Sequence, residues 1–206
     1  MGVPAARLVK LLGAIVFYPV VELWRGIGKL FGEPISGIAV AIYYHRIPPE
    51  HTARFARQMD YLARRSEPIR ADRSEPLQPG TRSVIVTFDD GWHSFYATAL
   101  PEITRRQIPV TLFAIAERLG SRLENDIDER LMTADELRRL PRDCVTVGSH
   151  TSTHADLSVR DEENIRRELG DSRRILEALT NREVKLFAFP YSRFSSNAIR
   201  LCAEQG

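Results

Sequence analysis

The run from Val84 to Trp92 (VIVTFDDGW) limits what this chain can fold into more than any other stretch. Its unbroken series of β-favouring residues reads as a strand buried on both faces, the kind found in parallel sheets. Such strands present functional groups at their C-terminal ends, where the chain leaves the sheet. Here that end carries two adjacent carboxylates, Asp89 and Asp90, followed by Gly91. Neighbouring strand residues face opposite sides, so the two acids can take different roles only where the strand gives way to a loop. Gly91 permits that turn. Taken alone, Asp-Asp-Gly is an ordinary turn after a strand, and the rest of the chain decides against that reading.

Four more stretches read as strands. They are Gly37 to Tyr44, ending at His45; Pro109 to Ile115; Val145 to Val147, ending at Gly148-Ser149-His150; and Val184 to Phe189, ending at Pro190-Tyr191. Between them the apolar spacing is helical: from Phe55 to Leu62, from Phe95 to Ile103 with an interruption or restart at Pro101, and from Ser196 to Gln205. Thr133 and Glu136 have the spacing of a capping box, and Ser158 with Asp161 is expected to cap a long helix carrying Ile165, Leu169, Leu176 and Leu179 on one face. Residues 67–82 hold Pro68, Pro76, Pro79 and Gly80 and read as loop. Strand and helix alternate, which implies an α/β fold with a parallel sheet and right-handed crossovers. The chemical candidates fall at strand ends, as in a TIM-like barrel, although five strands are too few to close one.

A chain of 206 residues suits one domain with a real core, and a net charge of +2 gives no support to a nucleic-acid partner. Cys144 and Cys202 lack metal-ligand spacing and read as small core residues rather than a disulfide.

His150 and His154 are spaced by four, which on a helical turn puts both rings on one face within reach of a single ion. Only five histidines occur, and these two lie just past a strand end. One carboxylate from another strand completes a two-histidine, one-carboxylate site suited to zinc or a similar divalent ion. The two aspartates then separate: Asp90 as ligand, Asp89 as the base, because only an unligated carboxylate can accept a proton from water.

With these residues in place the chain resembles the polysaccharide deacetylases, the nodulation-type deacetylase domain of carbohydrate esterase family four. Thr87-Phe88-Asp89-Asp90-Gly91, His150 to His154, and Phe187-Ala188-Phe189-Pro190-Tyr191 look like that family's first three motifs, in order and spacing, over residues 37–206. The resemblance implies a distorted (β/α) barrel, incomplete here with about five parallel strands. It also implies metal-dependent removal of N-acetyl groups from an acetylated amino-sugar polymer or oligomer of N-acetylglucosamine type. Carried over by motif, Asp89 is the catalytic base, and Asp90, His150 and His154 hold the metal, zinc first with Co, Ni or Fe as alternatives. Tyr191 offers its backbone N–H to the oxyanion, and Pro190 fixes the turn that presents it. Trp92 stands where many members have proline, Ala188 where an arginine is common, and Ser192 where glycine is frequent; these departures bear on the support of the base and on the substrate groove. The family's late strands and late histidine have no counterpart before Gly206, so the C-terminal part is expected to be missing. The permuted exopolysaccharide-deacetylase subset takes its acid upstream, and Tyr43-Tyr44-His45-Arg46 resembles that motif, which makes His45 the candidate general acid. His51 and His93 read as surface residues.

Two other readings stand beside this one: a silent, truncated homologue serving as a carbohydrate-binding or membrane-associated protein, and a related metal amidase acting on another amide. The segment 1–36 is set apart from the domain. Its apolar run from Leu11 to Val21 follows Arg7 and Lys10, is shorter than the roughly 20 residues that cross a bilayer, and is followed by no clear small-x-small site. An interfacial membrane-associated helix and a helix packed on the domain both fit it. The first favours a membrane-associated or extracytoplasmic location over a cytoplasmic one.

Overall fold

The computed structural model describes residues 37–123 and 128–205. The apolar run of residues 11–31 lies outside them, and among the described residues no helix is long and apolar enough to cross a membrane. The chain divides into two units, Met1–Ile38 with Pro76–Arg82, and Ala39–Glu75 with Ser83–Gly206. In the smaller unit the Thr81 amide and hydroxyl both donate to the Gln78 carbonyl (3.2 and 2.7 Å), and Ile38 donates its amide to Thr81 (3.0 Å).

The sheet holds five strands: β1 (Ile38–Tyr44), β2 (Glu67–Pro68), β3 (Arg82–Phe88), β4 (Val110–Ala114) and β5 (Val145–Ser149). The order is β1-β3-β4-β5, with β2 pairing β3. The pairs of β3 with β2, of β3 with β4 and of β4 with β5 are parallel, in registers that set Phe88 opposite Leu112 and Ala114 opposite Ser149. Central β4 is buried at all five positions, which is why Val-Thr-Leu-Phe-Ala reads as a continuous apolar run rather than an alternating one. Among the described residues, five α-helices follow the strands: α1 (Thr52–Arg65), α2 (Leu100–Arg106), α3 (Ala134–Arg138), α4 (Glu162–Thr180) and α5 (Ser196–Glu204). Aromatic rings join strand to helix in the main core: Phe88 stacks on Tyr44 (5.3 Å between centroids) and meets Phe95 edge-on (4.7 Å) and Phe55 (6.0 Å). Cys144 and Cys202 are both free.

Several elements differ from the sequence expectation. The stretch Val184 to Phe189 makes only one parallel bridge, Ser149 to Phe187, flanked by the bonds Ser149 N to Leu186 O (2.8 Å) and Ala188 N to Ser149 O (3.0 Å). Pro190 lacks the amide that would continue the ladder. The fifth strand is instead the two-residue β2, inside what reads as loop. The interruption before Pro101 is a π-turn over Phe95–Ala99, with the Leu100 amide reaching back to the Phe95 carbonyl. Pro101 has no amide to close a normal turn, so the wider one absorbs the lost bond. The long helix is capped by Asp161, which accepts from the Asn164 amide (2.8 Å). Ser158 takes no part, because its amide and hydroxyl are both committed to Asp156 Oδ1 (3.0 and 2.6 Å).

The capping box at α3 forms as read, with Glu136 N on Thr133 Oγ1 (3.2 Å) and Thr133 N on Glu136 Oε2 (2.8 Å). Arg130 adds two hydrogen bonds to the same carboxylate, both 2.7 Å, and Glu136 is pushed down to about 2, chiefly by Arg130, against the cost of burial and with help from the Thr133 amide. A folded-state value below the unfolded one contributes stability above the unfolded pKa, near 4.5, which is lost as pH falls toward 2. Glu136→Gln is therefore expected to lower the unfolding midpoint at pH 7 and to match wild type near pH 2; an equal deficit at both pH values would refute the linkage. Gly148 is a second check. A Cβ there would lie 2.6 Å from Phe113 Cδ1 and Cε1 and 3.0 Å from the Leu186 carbonyl. Gly148→Ala should cost about 1–3 kcal/mol in urea unfolding, and an unchanged midpoint would mean that the Phe113 ring yields freely.

Candidate metal centre

The strand ends meet at a cleft of about 400 Å³ lined by Tyr43, His45, Asp89, Asp90, His150, His154, Phe189, Tyr191 and Ser192. β3 ends at Phe88, and Asp90 and Gly91 both adopt left-handed backbone, φ 69° and 81°. That reversal is what lets two consecutive carboxylates line the same cleft. The turn is braced from outside, where Gly91 accepts from Met132 N (2.8 Å), His93 N donates to Arg130 O (3.0 Å), and Trp92 bridges Leu131.

Asp90 lies at the focus. Its Oδ1 is 3.4 Å from His150 Nε2 and 3.3 Å from His154 Nε2, and its Oδ2 accepts from Trp92 Nε1 at 2.8 Å. Asp90 is 5% exposed and His150 3%. Burial works to raise the Asp90 carboxyl, but the two imidazoles and the indole N–H outweigh it and hold the group far below the usual carboxylate range. Asp89 goes the other way: burial raises it, opposed by the nearby imidazoles of His150 and His45.

These residues suit a divalent cation. Asp90 Oδ1 is buried without a hydrogen-bond partner, while one ligand atom from each of Asp90, His150 and His154 lies within 4.8 Å of the others. Tetrahedral ligands at ~2.0–2.1 Å from an ion stand about 3.3–3.4 Å apart, and the separations from Asp90 Oδ1 to the two imidazole nitrogens match that edge. Each of these three side chains also has an outer partner. His150 Nδ1 lies 2.9 Å from Ala188 O, His154 Nδ1 lies 3.1 Å from the Tyr191 hydroxyl, and Trp92 holds Asp90.

The two histidines do not sit on a helical turn as their spacing suggests. Residues 150–154 form a loop with Thr151 at φ 67° and His154 at φ 70°, and the rings converge to 5.1 Å between centroids. The amides that a helix would use are diverted. Thr151 Oγ1 accepts from His154 N (2.9 Å) and Ala155 N (3.2 Å), and Glu168 Oε2 accepts from Ser152 N (3.0 Å) and Thr153 N (2.9 Å). Thr153 Oγ1 adds a third bond to Glu168, to Oε1 at 2.7 Å. Glu168, on α4 and only 9% exposed, is thus the side chain that shapes the histidine loop. Sequence reasoning passed over it, yet a signal was present: Glu168 falls on the same inward face as Ile165, Leu169 and Leu176, where an acid needs partners.

The remaining candidates fall as follows. His45 is half-exposed, with Nε2 4.0 Å from Asp90 Oδ2. Tyr191, at φ 60°, turns its backbone and its ring toward the cleft from a short turn opened by buried Pro190. Trp92 is buried beside Asp90, with the Arg46 guanidinium 5.1 Å from its ring centroid. His51 is exposed, whereas His93 is not a bare surface residue: its Nδ1 lies 3.1 Å from Glu136 Oε1.

The chain is similar to known proteins. The family model described as polysaccharide deacetylase matches residues 77–206. A chitooligosaccharide deacetylase of Bradyrhizobium sp. (strain ANU 289) is 30% identical over 129 residues, 62% of this chain and 54% of that protein. The Bacillus subtilis (strain 168) protein YxkH is 20% identical over 133 residues, 65% of this chain and 45% of that protein. The chain thus spans about half the length of the curated relatives it matches. Among solved structures, IcaB from Ammonifex degensii is similar with a TM-score of 0.74 and 24% identity, over 82% of this chain and 80% of that one. The deacetylase PplD of Streptococcus pyogenes, solved with acetate, gives a TM-score of 0.63 at 20% identity, over 83% and 80% of the two chains. Both likenesses establish the fold.

Replacing Glu168 by Ala would strand two loop amides and a hydroxyl. A loss of about 3 kcal/mol is expected on removing this charged acceptor from buried donors, read from urea unfolding of the apo protein. A change below about 0.5 kcal/mol, the level of an ordinary surface substitution, would show that the loop holds its shape without it.

Proposed function

The chain belongs to the polysaccharide deacetylase family, and from that premise we propose that it is a metal-dependent hydrolase removing N-acetyl groups from an N-acetylglucosamine-type polysaccharide or oligosaccharide. The observation that carries the reading is Asp90 Oδ1 between the Nε2 atoms of His150 and His154, at 3.4 and 3.3 Å, in a cleft that Asp89 also lines.

Asp90, His150 and His154 would hold the ion, zinc by preference for this ligand set. When bound, it supplies Lewis-acid chemistry and brings the pKa of water to about 7. Asp89, raised by burial and free of the ion, accepts the proton of the attacking water. Asp90, held as an anion by its neighbours, would face the cation and not compete for that proton. The Tyr191 backbone N–H faces the carbonyl oxygen as it becomes an oxyanion, and Pro190 sets the turn that aims it. His45, at the open side of the cleft, delivers a proton to the leaving amine so that the sugar departs as a neutral amine. The half-exposed His45 and the exposed Tyr43 and Tyr191 leave the mouth open to a polymer.

Acetate release from N-acetylglucosamine oligomers by zinc-loaded protein tests this. Asp89→Asn should lose activity by about 10²–10⁴-fold, the usual worth of a positioned acid–base group, while still binding one zinc per chain. His45→Ala is expected to lose activity by a similar factor with the KM little changed. Zinc-loaded wild type that releases no acetate from any oligomer length would sink the proposed reaction.

A further inference from the structure

Both ligand histidines turn their second nitrogen toward one short segment, residues 188–191. His150 Nδ1 meets the Ala188 carbonyl at 2.9 Å, a partner that any residue at that position supplies. His154 Nδ1 meets the Tyr191 hydroxyl at 3.1 Å, and that contact depends on one side chain. The Tyr191 ring, though exposed, lies beside the His154 imidazole, 4.6 Å between centroids at 49°. The Arg193 guanidinium stands 6.0 Å from the Tyr191 ring centroid and donates from Nη1 to Asp156 Oδ2 at 3.0 Å, so Arg193 ties the Tyr191 turn back to the chain just after His154.

Resting on the metal reading above, we propose that Tyr191 is a positioning residue for the metal centre, its hydroxyl accepting the Nδ1–H of His154. A neutral imidazole carries one proton on one of two nitrogens. Keeping it on Nδ1 leaves the Nε2 lone pair directed at the ion, and the same hydrogen bond fixes the rotation of the ring. Tyr191 then serves the centre twice: the hydroxyl orients a ligand, and the backbone amide faces the substrate oxygen. Because the two duties use different atoms, Tyr191→Phe removes the first and keeps the second.

The test is calorimetric titration of apo protein with Zn²⁺ alone, for wild type, Tyr191→Phe and His154→Ala, beside thermal unfolding of each apo form. Wild type should bind one zinc per chain, and His154→Ala should lose that binding. Tyr191→Phe should bind one zinc with affinity about 10–100-fold weaker, the usual cost of removing a ligand's outer partner. Its apo unfolding midpoint should not move. Wild-type affinity in Tyr191→Phe overturns the positioning role and leaves the metal reading standing. A parallel fall in the apo midpoint also overturns it, since the hydroxyl would then serve general stability. No zinc binding by wild type, or undiminished binding by His154→Ala, overturns the metal reading itself, and the positioning role falls with it.

Discussion

The rest of the structure depends on one buried carboxylate. Asp90 is 5% exposed, and an anion at that depth persists only with compensation on every side. The Trp92 indole N–H satisfies Oδ2, while Oδ1 faces the Nε2 atoms of His150 and His154 without a hydrogen-bond partner, the place a divalent cation suits. Bringing them there bends the backbone: Asp90, Thr151, His154, Tyr191 and Ser192 all have positive φ. Such conformations cost non-glycine residues on the order of 1 kcal/mol or more each and persist only where the surroundings over-determine them. The surroundings here are the parallel strands β3, β4 and β5, whose registers hold the loops in place, and Glu168 beneath the histidine loop.

The same arrangement divides the two aspartates. They are adjacent in sequence and share the cleft, yet burial raises Asp89 while the imidazoles and Trp92 hold Asp90 down. A pair of carboxylates pushed apart in this way can divide labour between base and ligand. Trp92, which reads in the sequence as a departure from a common proline, is the hydrogen-bond donor that fixes Asp90. Ala188, which stands where an arginine is common, meets His150 through its backbone carbonyl, a contact that any residue there supplies.

Much of this was legible beforehand. Buried parallel strands announce themselves as apolar runs, so β1, β3, β4 and β5 stand close to where Gly37 to Tyr44, Val84 to Phe88, Pro109 to Ile115 and Val145 to Val147 put them. The capping box at Thr133 follows from local spacing and forms as read. Reading failed where non-local partners decide. Val184 to Phe189 has strand-like composition but makes a single bridge before Pro190, and Ser158 has a capping side chain already claimed by Asp156.

The sequence by itself determined the parallel α/β plan and the identity of the residues that gather at the strand ends, because strand burial and the chemistry of Asp, His and Tyr are local properties. Only the tertiary structure decided how those groups meet. The spacing of His150 and His154 suggests a helical turn, but left-handed residues and the distant Glu168 make it a loop, and the Tyr191 hydroxyl reaches His154 across 37 positions of chain. Hydrogen bonds between residues far apart in sequence leave no periodic trace, so they become visible only once the sheet has brought the strand ends together.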